Sequence, residues 1–353
     1  MLPDLYFIIP GNLHTLTGGY AYDRELIAGL QRLGIRVHHI TVSAQYPLPD
    51  AEAEAETARL MAAIPDNAVI LADGLAYGAM DNIARIEHQR LKIIALCHHP
   101  LAFESGLDTR LQSHLFKSEK TALELARAVV VTSPATARLL SNAFGVAENK
   151  ITVALPGTQK QAFAPCMGHP PVLLTVATLI QRKAHDVLID ALSRLTYLDW
   201  SARFVGGDQF DPEWAAFLKK RTETLGLAEH ISFVGNVSDL NPEYANADVF
   251  VLPSRFEGYG MVFAEALAAG LPIVAARAGA VPDVVPETAG MLIPPDDATR
   301  LAFALHTMLT EPQQYQALRL GAQQAAASLP DWQQSAAQVA DLLQTINATG
   351  QDT

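Results

Sequence analysis

The chain has 353 residues, 50% of them hydrophobic, and a formal net charge of -12. This length exceeds what one hydrophobic core usually organises, so we expect two domains. The acidic balance argues against nucleic acid as a partner, and the sequence has no apolar run long enough for stable insertion into a membrane.

The first predicted element is a short strand between Met1 and Pro10. This segment lacks the basic region, the long apolar stretch and the cleavage site of a secretory signal, so we expect a cytoplasmic protein. The two cysteines, Cys97 and Cys166, are too few for a disulfide framework and suit a reducing compartment.

Short apolar runs in the first half of the chain predict strands, and helical patterns fill the gaps between them. The segment from Gly18 to Leu33 predicts a helix, because Leu26 and Leu30 share one face and Gly34 follows as a stop signal. Alternating strands and helices indicate a parallel sheet. The predicted strands of this half are 4–9, 35–42, 68–72, 91–97, 128–132 and 150–154.

A second series of strands begins after Pro165. The following segment, Gly168 to Pro171, contains two prolines that disfavour regular structure and suit a linker. We therefore expect an N-terminal domain at 1–165 and a C-terminal domain at 166–330, with a final helix at 331–348 packed back on the first domain. The predicted strands of the second half are 172–177, 202–205, 231–234, 249–252, 272–276 and 291–293.

The most informative stretch runs from Val249 to Gly270. An apolar strand ends at Pro253, and a glycine-containing turn leads into a helix that begins near Met261. The end of a parallel strand and the start of a helix together favour an anion such as a phosphate group. Glu257 and Glu265 lie on either side of the helix start, where they suit sugar hydroxyls, although acidic residues are also common at helix starts for electrostatic reasons alone.

This stretch resembles the Glu-x7-Glu signature of the GT4 family of retaining glycosyltransferases. Further segments resemble the family in order along almost the whole chain. The resemblance implies an α/β protein with the GT-B fold, in which two Rossmann-like domains with parallel sheets face a central cleft. The supporting segments are Gly18-Gly19, 129–134, 150–157, 163–165, 176–192 and 233–237.

The resemblance also implies a binding site for a nucleotide-sugar donor. Glu265 would bind the ribose, Glu257 would bind the donor sugar, and Lys183 would neutralise the diphosphate. The family's usual Gly-Arg-Leu is Ala177-Thr178-Leu179 here, so Thr178 replaces an arginine and Arg182 is a candidate substitute. The other predicted donor contacts are Gly18, Gly19, Val234, Gly258, Tyr259, Gly260, Met261 and Val262.

The first domain contributes a histidine pair, His98 and His99, directly after a predicted strand. In the resembling family, a histidine here lies near the reacting sugar, and we favour His98 over His99. The weaker candidates for acceptor contacts are His14, His99 and Glu104. A zinc site at Cys97, His98 and His99 is disfavoured, because consecutive residues on a strand point to opposite faces.

The predicted function is transfer of a hexosyl-type sugar from a UDP-sugar or GDP-sugar to a small-molecule or glycan acceptor, with His98, Lys183 and Glu257 as the catalytic residues. No Asp-x-Asp motif is present, and we expect neither a metal nor another cofactor. Two alternatives remain: a non-catalytic nucleotide-sugar-binding protein, suggested by Thr178, and a membrane-associated transferase of glycan or glycolipid assembly. A Rossmann oxidoreductase is disfavoured, because Gly-x-Gly-x-x-Gly does not follow the first strand.

Overall fold

The computed structural model describes residues 4–104 and 106–348. Residues 1–3, which precede the first strand, lie outside the described part of the chain. The chain divides into two compact units: the first runs to Gly157 and resumes at Pro330, and the second comprises Thr158–Leu329. Each unit has its own hydrophobic core.

The first unit contains a parallel sheet of six strands in the order β2-β1-β3-β4-β5-β6. Most of its strand residues are buried, as expected for a parallel sheet covered by helices on both faces. The strands are β1 (Leu5–Pro10), β2 (Val37–Val42), β3 (Val69–Asp73), β4 (Lys92–Cys97), β5 (Ala128–Val131) and β6 (Ile151–Val153). The helices are α1 (Gly18–Arg32), α2 (Ala51–Ala62), α3 (Gly74–Tyr77), α4 (Asp81–Glu87), α5 (Thr109–Leu125) and α6 (Pro134–Leu139).

The second unit repeats this architecture with six parallel strands in the order β12-β11-β10-β7-β8-β9. The strands are β7 (Val172–Val176), β8 (Ser201–Val205), β9 (Ile231–Gly235), β10 (Val249–Leu252), β11 (Ile273–Ala276) and β12 (Gly290–Ile293). The helices are α7 (His185–Leu192), α8 (Pro212–Thr224), α9 (Asn241–Ala245), α10 (Met261–Ala268), α11 (Val281–Val284), α12 (Ala298–Thr310) and α13 (Pro312–Ala326). Strands β7 and β10 are neighbours at the centre of the sheet, so the loops that follow them emerge side by side.

The last helix, α14 (Trp332–Ala348), packs against α1 of the first unit. The Trp332 ring lies with its centroid 5.5 Å from that of Tyr22, in an edge-to-face arrangement. The two helices approach closely at Gly29, where an added Cβ would lie 2.6 Å from the Ala336 Cβ. A side chain at position 29 would therefore push the two helices apart.

The boundary between the units lies at Gly157 and Thr158, ahead of the predicted boundary at Pro165. The intervening segment is held by the second unit: Ala164 donates its backbone N–H to the Ala269 carbonyl at 2.7 Å. Arg319 Nη2 donates to the Ala164 carbonyl at 3.0 Å. These hydrogen bonds join residues more than 100 positions apart, which a local linker pattern does not reveal. Within the described residues, no helix combines the length and apolar character needed to cross a membrane.

Candidate functional site

The turn between β10 and α10 brings one acidic side chain into the interior of the second unit. Strand β10 ends at Leu252, and Gly260 directly precedes α10 with a φ of 84°, in the left-handed region. A Cβ at Gly260 would also lie 2.6 Å from the Phe263 ring. Glycine is therefore required here on both conformational and steric grounds. The turn places Glu257 close to the start of α10, since a Cβ at Gly260 would lie 3.6 Å from the Glu257 Cγ.

Glu257 is buried, with 4% of its surface exposed, and it is surrounded by donors. Its Oε1 accepts hydrogen bonds from Ser254 Oγ at 2.6 Å and from Lys183 Nζ at 2.7 Å. Arg182 Nη1 lies 3.6 Å from its Oε2. Burial alone would raise the pKa of Glu257, but the nearby Lys183 and Arg182 outweigh burial and lower it. Glu257 is therefore held as a carboxylate.

Arg182 and Lys183 are adjacent in sequence, yet both reach Glu257. They belong to a single 3-10 turn, Gln181–Lys183, which follows β7 and ends at Ala184. Ala184 is fully buried, has a φ of 54° in the left-handed region, and directly precedes α7. From this turn, both consecutive cationic side chains reach the same carboxylate. The neutral Thr178 lies earlier in the same loop and adds no positive charge.

Glu265 lies one turn inside α10 and has different partners from Glu257. Tyr244 donates its hydroxyl hydrogen to Glu265 Oε2 at 2.7 Å. Burial raises the pKa of Glu265, and the hydrogen bond from Tyr244 opposes that effect. The same hydroxyl lies 3.4 Å from the carbonyl oxygen of Val262, another predicted donor contact. Tyr244 therefore orients the carboxyl group of Glu265.

The other predicted donor contacts fall in three places. Gly258 and Tyr259 lie in the segment between β10 and α10, with Tyr259 buried, and Met261 is the first residue of α10. Val234 lies on the edge strand β9, which β8 separates from β7. Gly18 and Gly19 lie in the first unit, as the first residues of α1.

The first unit brings His98 together with two aspartates that the sequence analysis missed. His98 directly follows β4, and its Nε2 lies 3.0 Å from Asp23 Oδ1 and 3.3 Å from Asp73 Oδ2. Gly19 lies next to the His98 ring, since a Cβ there would be 3.5 Å from the ring Cδ2. One oxygen of each aspartate and one His98 nitrogen lie within 4.8 Å of one another, close enough to surround one cation. Sequence analysis predicted no metal site, so this cluster was not anticipated.

The three weaker acceptor candidates occupy two positions in the first unit. His99 Nε2 lies 3.9 Å from Glu104 Oε2, so these two residues are neighbours. His14 is exposed, and its backbone N–H donates to Asn12 Oδ1 at 2.9 Å.

Four site residues escaped the sequence analysis, and two of them left a readable signal. Asp73 is the last residue of the buried strand β3, just as His98 directly follows the neighbouring strand β4. Asp23 lies on the buried face of α1, together with Leu26. A charged residue in an otherwise apolar buried stripe indicates a special role. Ser254 and Tyr244 left no such signal, because their roles depend on contacts with Glu257 and Glu265.

Comparison with known proteins shows similarity to glycosyltransferases. Residues 170–311 match the model of the family Glycosyl transferases group 1. A GDP-mannose-dependent alpha-(1-6)-phosphatidylinositol monomannoside mannosyltransferase of Mycolicibacterium smegmatis is 30% identical over 212 residues, which cover 53% of this chain and 54% of that protein. The D-inositol 3-phosphate glycosyltransferase of Thermobifida fusca is 31% identical over 228 residues, 58% of this chain and 52% of that protein. The chain thus spans little more than half the length of these curated relatives.

Solved structures resemble the chain over nearly its full length. Sucrose-phosphate synthase from Thermosynechococcus elongatus has a TM-score of 0.82 and 22% identity, covering 98% of this chain and all of that one (100%). Anabaena HepE in complex with UDP and glucose has a TM-score of 0.77 and 19% identity, covering 97% of this chain and 100% of that one. At such identities the likeness establishes the fold. The resemblance found in the sequence is confirmed: the chain has the GT-B fold, and residues 170–311 match the model of the glycosyl transferases group 1 family.

Proposed function

We propose that the protein is a retaining, metal-independent glycosyltransferase that moves a hexosyl-type sugar from a UDP-sugar or GDP-sugar to an acceptor. The observation that carries this proposal is the group around Glu257, where a buried carboxylate and two cationic side chains meet at the ends of β7 and β10. Ligands of parallel α/β sheets bind at this end of the strands. The group therefore lies where a nucleotide sugar would bind.

The cationic pair suits the diphosphate of the donor. Lys183 and Arg182 lie in the loop after β7, and α10 begins nearby with its N-terminal N–H groups. Positive charge at this point stabilises the negative charge that develops on a departing nucleoside diphosphate. Arg182 thus supplies the second cation that the substitution at Thr178 removes.

The two glutamates suit the hydroxyl-bearing parts of the donor. Glu257 is held as a carboxylate. A carboxylate only accepts hydrogen bonds, so it can pair with the O–H donor of a sugar hydroxyl. Tyr244 orients Glu265 toward a fixed position, where it would bind the ribose hydroxyls. The remaining donor contacts are Gly18, Gly19, Thr178, Val234 and the segment Gly258, Tyr259, Gly260, Met261 and Val262.

The reaction needs no nucleophile from the protein. The acceptor oxygen forms a bond to the anomeric carbon on the face that the diphosphate leaves, and the acceptor proton passes to the departing phosphate oxygen. The protein's part is to position both substrates and to stabilise the leaving group through Lys183 and Arg182. His98 contacts the donor sugar or the acceptor.

The acceptor is a small molecule or a glycan, bound mainly by the first unit near His14, His99 and Glu104. A second candidate function is a membrane-associated transferase, because the mannosyltransferase relative is named for a phosphatidylinositol acceptor. We propose a cytoplasmic location, supported by two free cysteines, Cys97 and Cys166.

The test is a panel of UDP-sugars and GDP-sugars, with released nucleotide as the readout and with both soluble sugars and lipid-linked glycans as acceptors. We expect one donor to be consumed without added metal and in the presence of EDTA, and the anomeric configuration of the product to match that of the donor. Glu257→Gln and Glu265→Gln should each weaken turnover or donor affinity by about 10-fold or more.

Glu223→Gln is the matched control, since Glu223 lies on α8 of the same unit with its side chain 61% exposed. It should leave both parameters unchanged. Binding of a nucleotide sugar without turnover would instead establish the non-catalytic alternative. If no donor bound at all, the proposed function would be rejected.

A further inference from the structure

The His98 cluster consists of His98, Asp23 and Asp73, and the two aspartates contact the imidazole ring through one ring nitrogen only. The contacts to Asp23 Oδ1 and to Asp73 Oδ2 are both made by the same ring nitrogen, Nε2. Both distances, 3.0 and 3.3 Å, lie within or near the hydrogen-bonding range for N–H and O. Two acceptors around one nitrogen favour a proton on that nitrogen.

The opposite ring nitrogen of His98, Nδ1, has a different environment. Among the residues that the structure describes, none forms a hydrogen bond with it. The His98 side chain is 21% exposed, whereas the side chains of Asp23 and Asp73 are 0% and 5% exposed. The nitrogen that can meet a ligand is therefore Nδ1.

We propose that Asp23 and Asp73 are positioning residues that keep His98 Nε2–H directed toward themselves and His98 Nδ1–H directed toward the ligand. The assignment of that ligand as donor sugar or acceptor rests on the proposed function. With a proton on each ring nitrogen, His98 donates a hydrogen bond to a hydroxyl or phosphate oxygen and has no lone pair with which to act as a general base.

The local charges support a protonated ring. Burial alone would lower the pKa of His98, but the nearby Asp23 and Asp73 outweigh burial and raise it above its ordinary value. Burial also raises the pKa of Asp23, and the positive charge of His98 opposes that effect. The cluster is therefore most stable when His98 is cationic.

The other titratable groups around the cluster remain neutral near pH 7. Burial raises the pKa of Tyr20 to about 12, and it raises the pKa of Tyr22 and of Cys97 well above their ordinary values. Tyr22 presents its ring edge to His98 with the centroids 5.1 Å apart. The charge of His98 therefore depends on Asp23 and Asp73 rather than on these neighbours.

Packing and backbone contacts keep the aspartates in place. Asp73 Oδ1 accepts the backbone N–H of Leu75 at 2.8 Å and so caps the short helix α3. Asp23 is fully buried on α1, four residues after Gly19, which lies against the His98 ring. Substitution by asparagine keeps an acceptor oxygen at each site while removing the negative charge.

The test is nitrogen NMR of protein labelled with 15N-histidine, titrated with pH in the wild type, Asp23→Asn and Asp73→Asn, with His98→Gln to assign the signal. We expect both ring nitrogens of His98 to carry protons at pH 8 in the wild type. Each asparagine variant should lower the apparent pKa of His98 by about 1–3 units. Asp50→Asn is the matched control, since Asp50 caps α2 through Ala53 N at 2.9 Å, and it should cause no change.

Activity supplies a second readout. The alkaline limb of the pH-activity profile should move to lower pH in Asp73→Asn and stay in place in Asp50→Asn. The proposal is overturned if wild-type His98 is a neutral tautomer at pH 7, or if neither asparagine variant moves its pKa. It is also overturned if the His98 signals respond to EDTA and metal analysis finds one bound ion per chain, because the cluster would then be a cation site.

These outcomes separate the inference from the proposed function. The NMR titration requires no substrate, so an inactive protein would reject the function and leave the positioning role to be decided by the spectra. The wild-type titration also requires no variant, and it remains decisive if Asp23→Asn fails to fold.

Discussion

Each of the two units contains a centre of charged side chains, and the arrangement of positive and negative charge is reversed between the two centres. In the second unit a carboxylate, Glu257, lies among the cationic side chains of Lys183 and Arg182. In the first unit a histidine, His98, lies between the carboxylates of Asp23 and Asp73. Both centres follow central strands of a parallel sheet.

The difference shows how one architecture holds two opposite arrangements of charge. In each unit a buried or half-buried group keeps its charge because groups of opposite charge surround it, although burial alone favours the neutral form. The centre at Glu257 has surplus positive charge, which suits a diphosphate. The centre at His98 has surplus negative charge and presents a hydrogen-bond donor at its edge.

The largest expected effect is at Lys183, one of the two cationic side chains that contact Glu257. Lys183→Ala should reduce kcat/KM by about 10²–10³-fold, because it removes charge stabilisation of the leaving diphosphate. Steady-state kinetics with the preferred donor would measure the loss. Lys219→Ala is the control, since Lys219 forms an exposed ion pair with Asp208 in the same unit at 3.0 Å. A loss below about 3-fold for Lys183→Ala would contradict the assigned role.

A smaller effect is expected at Arg182, whose Nη1 lies 3.6 Å from Glu257 Oε2. Arg182→Ala should reduce kcat/KM by about 10-fold, since Lys183 still supplies one positive charge. Adding Thr178→Arg to this variant should recover part of the loss, because it restores a cation where the family usually has one. If the double variant were no more active than Arg182→Ala, Arg182 would not be the substitute for the missing arginine.

A still smaller effect is expected at Tyr244, whose hydroxyl group orients Glu265. Tyr244→Phe removes the hydroxyl group that donates to Glu265. We expect donor KM to rise about 3–10-fold with little change in kcat, as for an interaction made equally in the ground and transition states. Tyr197→Phe is the control, because Tyr197 is 69% exposed. A fall in kcat with unchanged KM would argue against a binding role.

The last expected effect concerns stability and not activity, and it is a difference in pH dependence between carboxyl groups of the two units. Burial raises the pKa of Glu119 in the first unit to about 8, although hydrogen bonds from Leu101 and Ala102 oppose the shift. The folded state then binds more protons than the unfolded state between about pH 4.5 and 8, so Glu119 lowers stability as pH rises through this window.

The pKa of Glu257 in the second unit is lowered. Its stabilising contribution to the free energy of unfolding is therefore present above about pH 4.5 and is lost on acidification. Because each pH unit between the two pKa values of Glu119 changes stability by about 1.4 kcal/mol, Glu119→Gln should raise the free energy of unfolding at pH 8 relative to pH 5 by about 3 kcal/mol compared with the wild type. Urea unfolding at both pH values would measure this. The variant and the wild type could instead show the same difference in the free energy of unfolding between pH 5 and pH 8. In that case, the pKa of Glu119 would not be raised in the folded state.

Much of the fold was predictable from local patterns. Each predicted strand overlaps an observed one, and the helices predicted at Gly18 and Met261 begin there. Glu257 and Lys183 were predicted as site residues because they lie in segments that resemble a known family, and their roles stay a prediction. Their direct contact at 2.7 Å was not predictable, since 74 positions separate them.

The sequence by itself determined the alternation of strands and helices, because that depends on hydrophobic periodicity over a few residues. It also indicated the resemblance to the glycosyltransferase family, because the motifs occur in order along the chain. Only the tertiary structure decided that Arg182 and Lys183 face the same carboxylate, and that Asp23 and Asp73 share one nitrogen of His98. Those contacts depend on how distant segments pack together, and no short-range pattern encodes that.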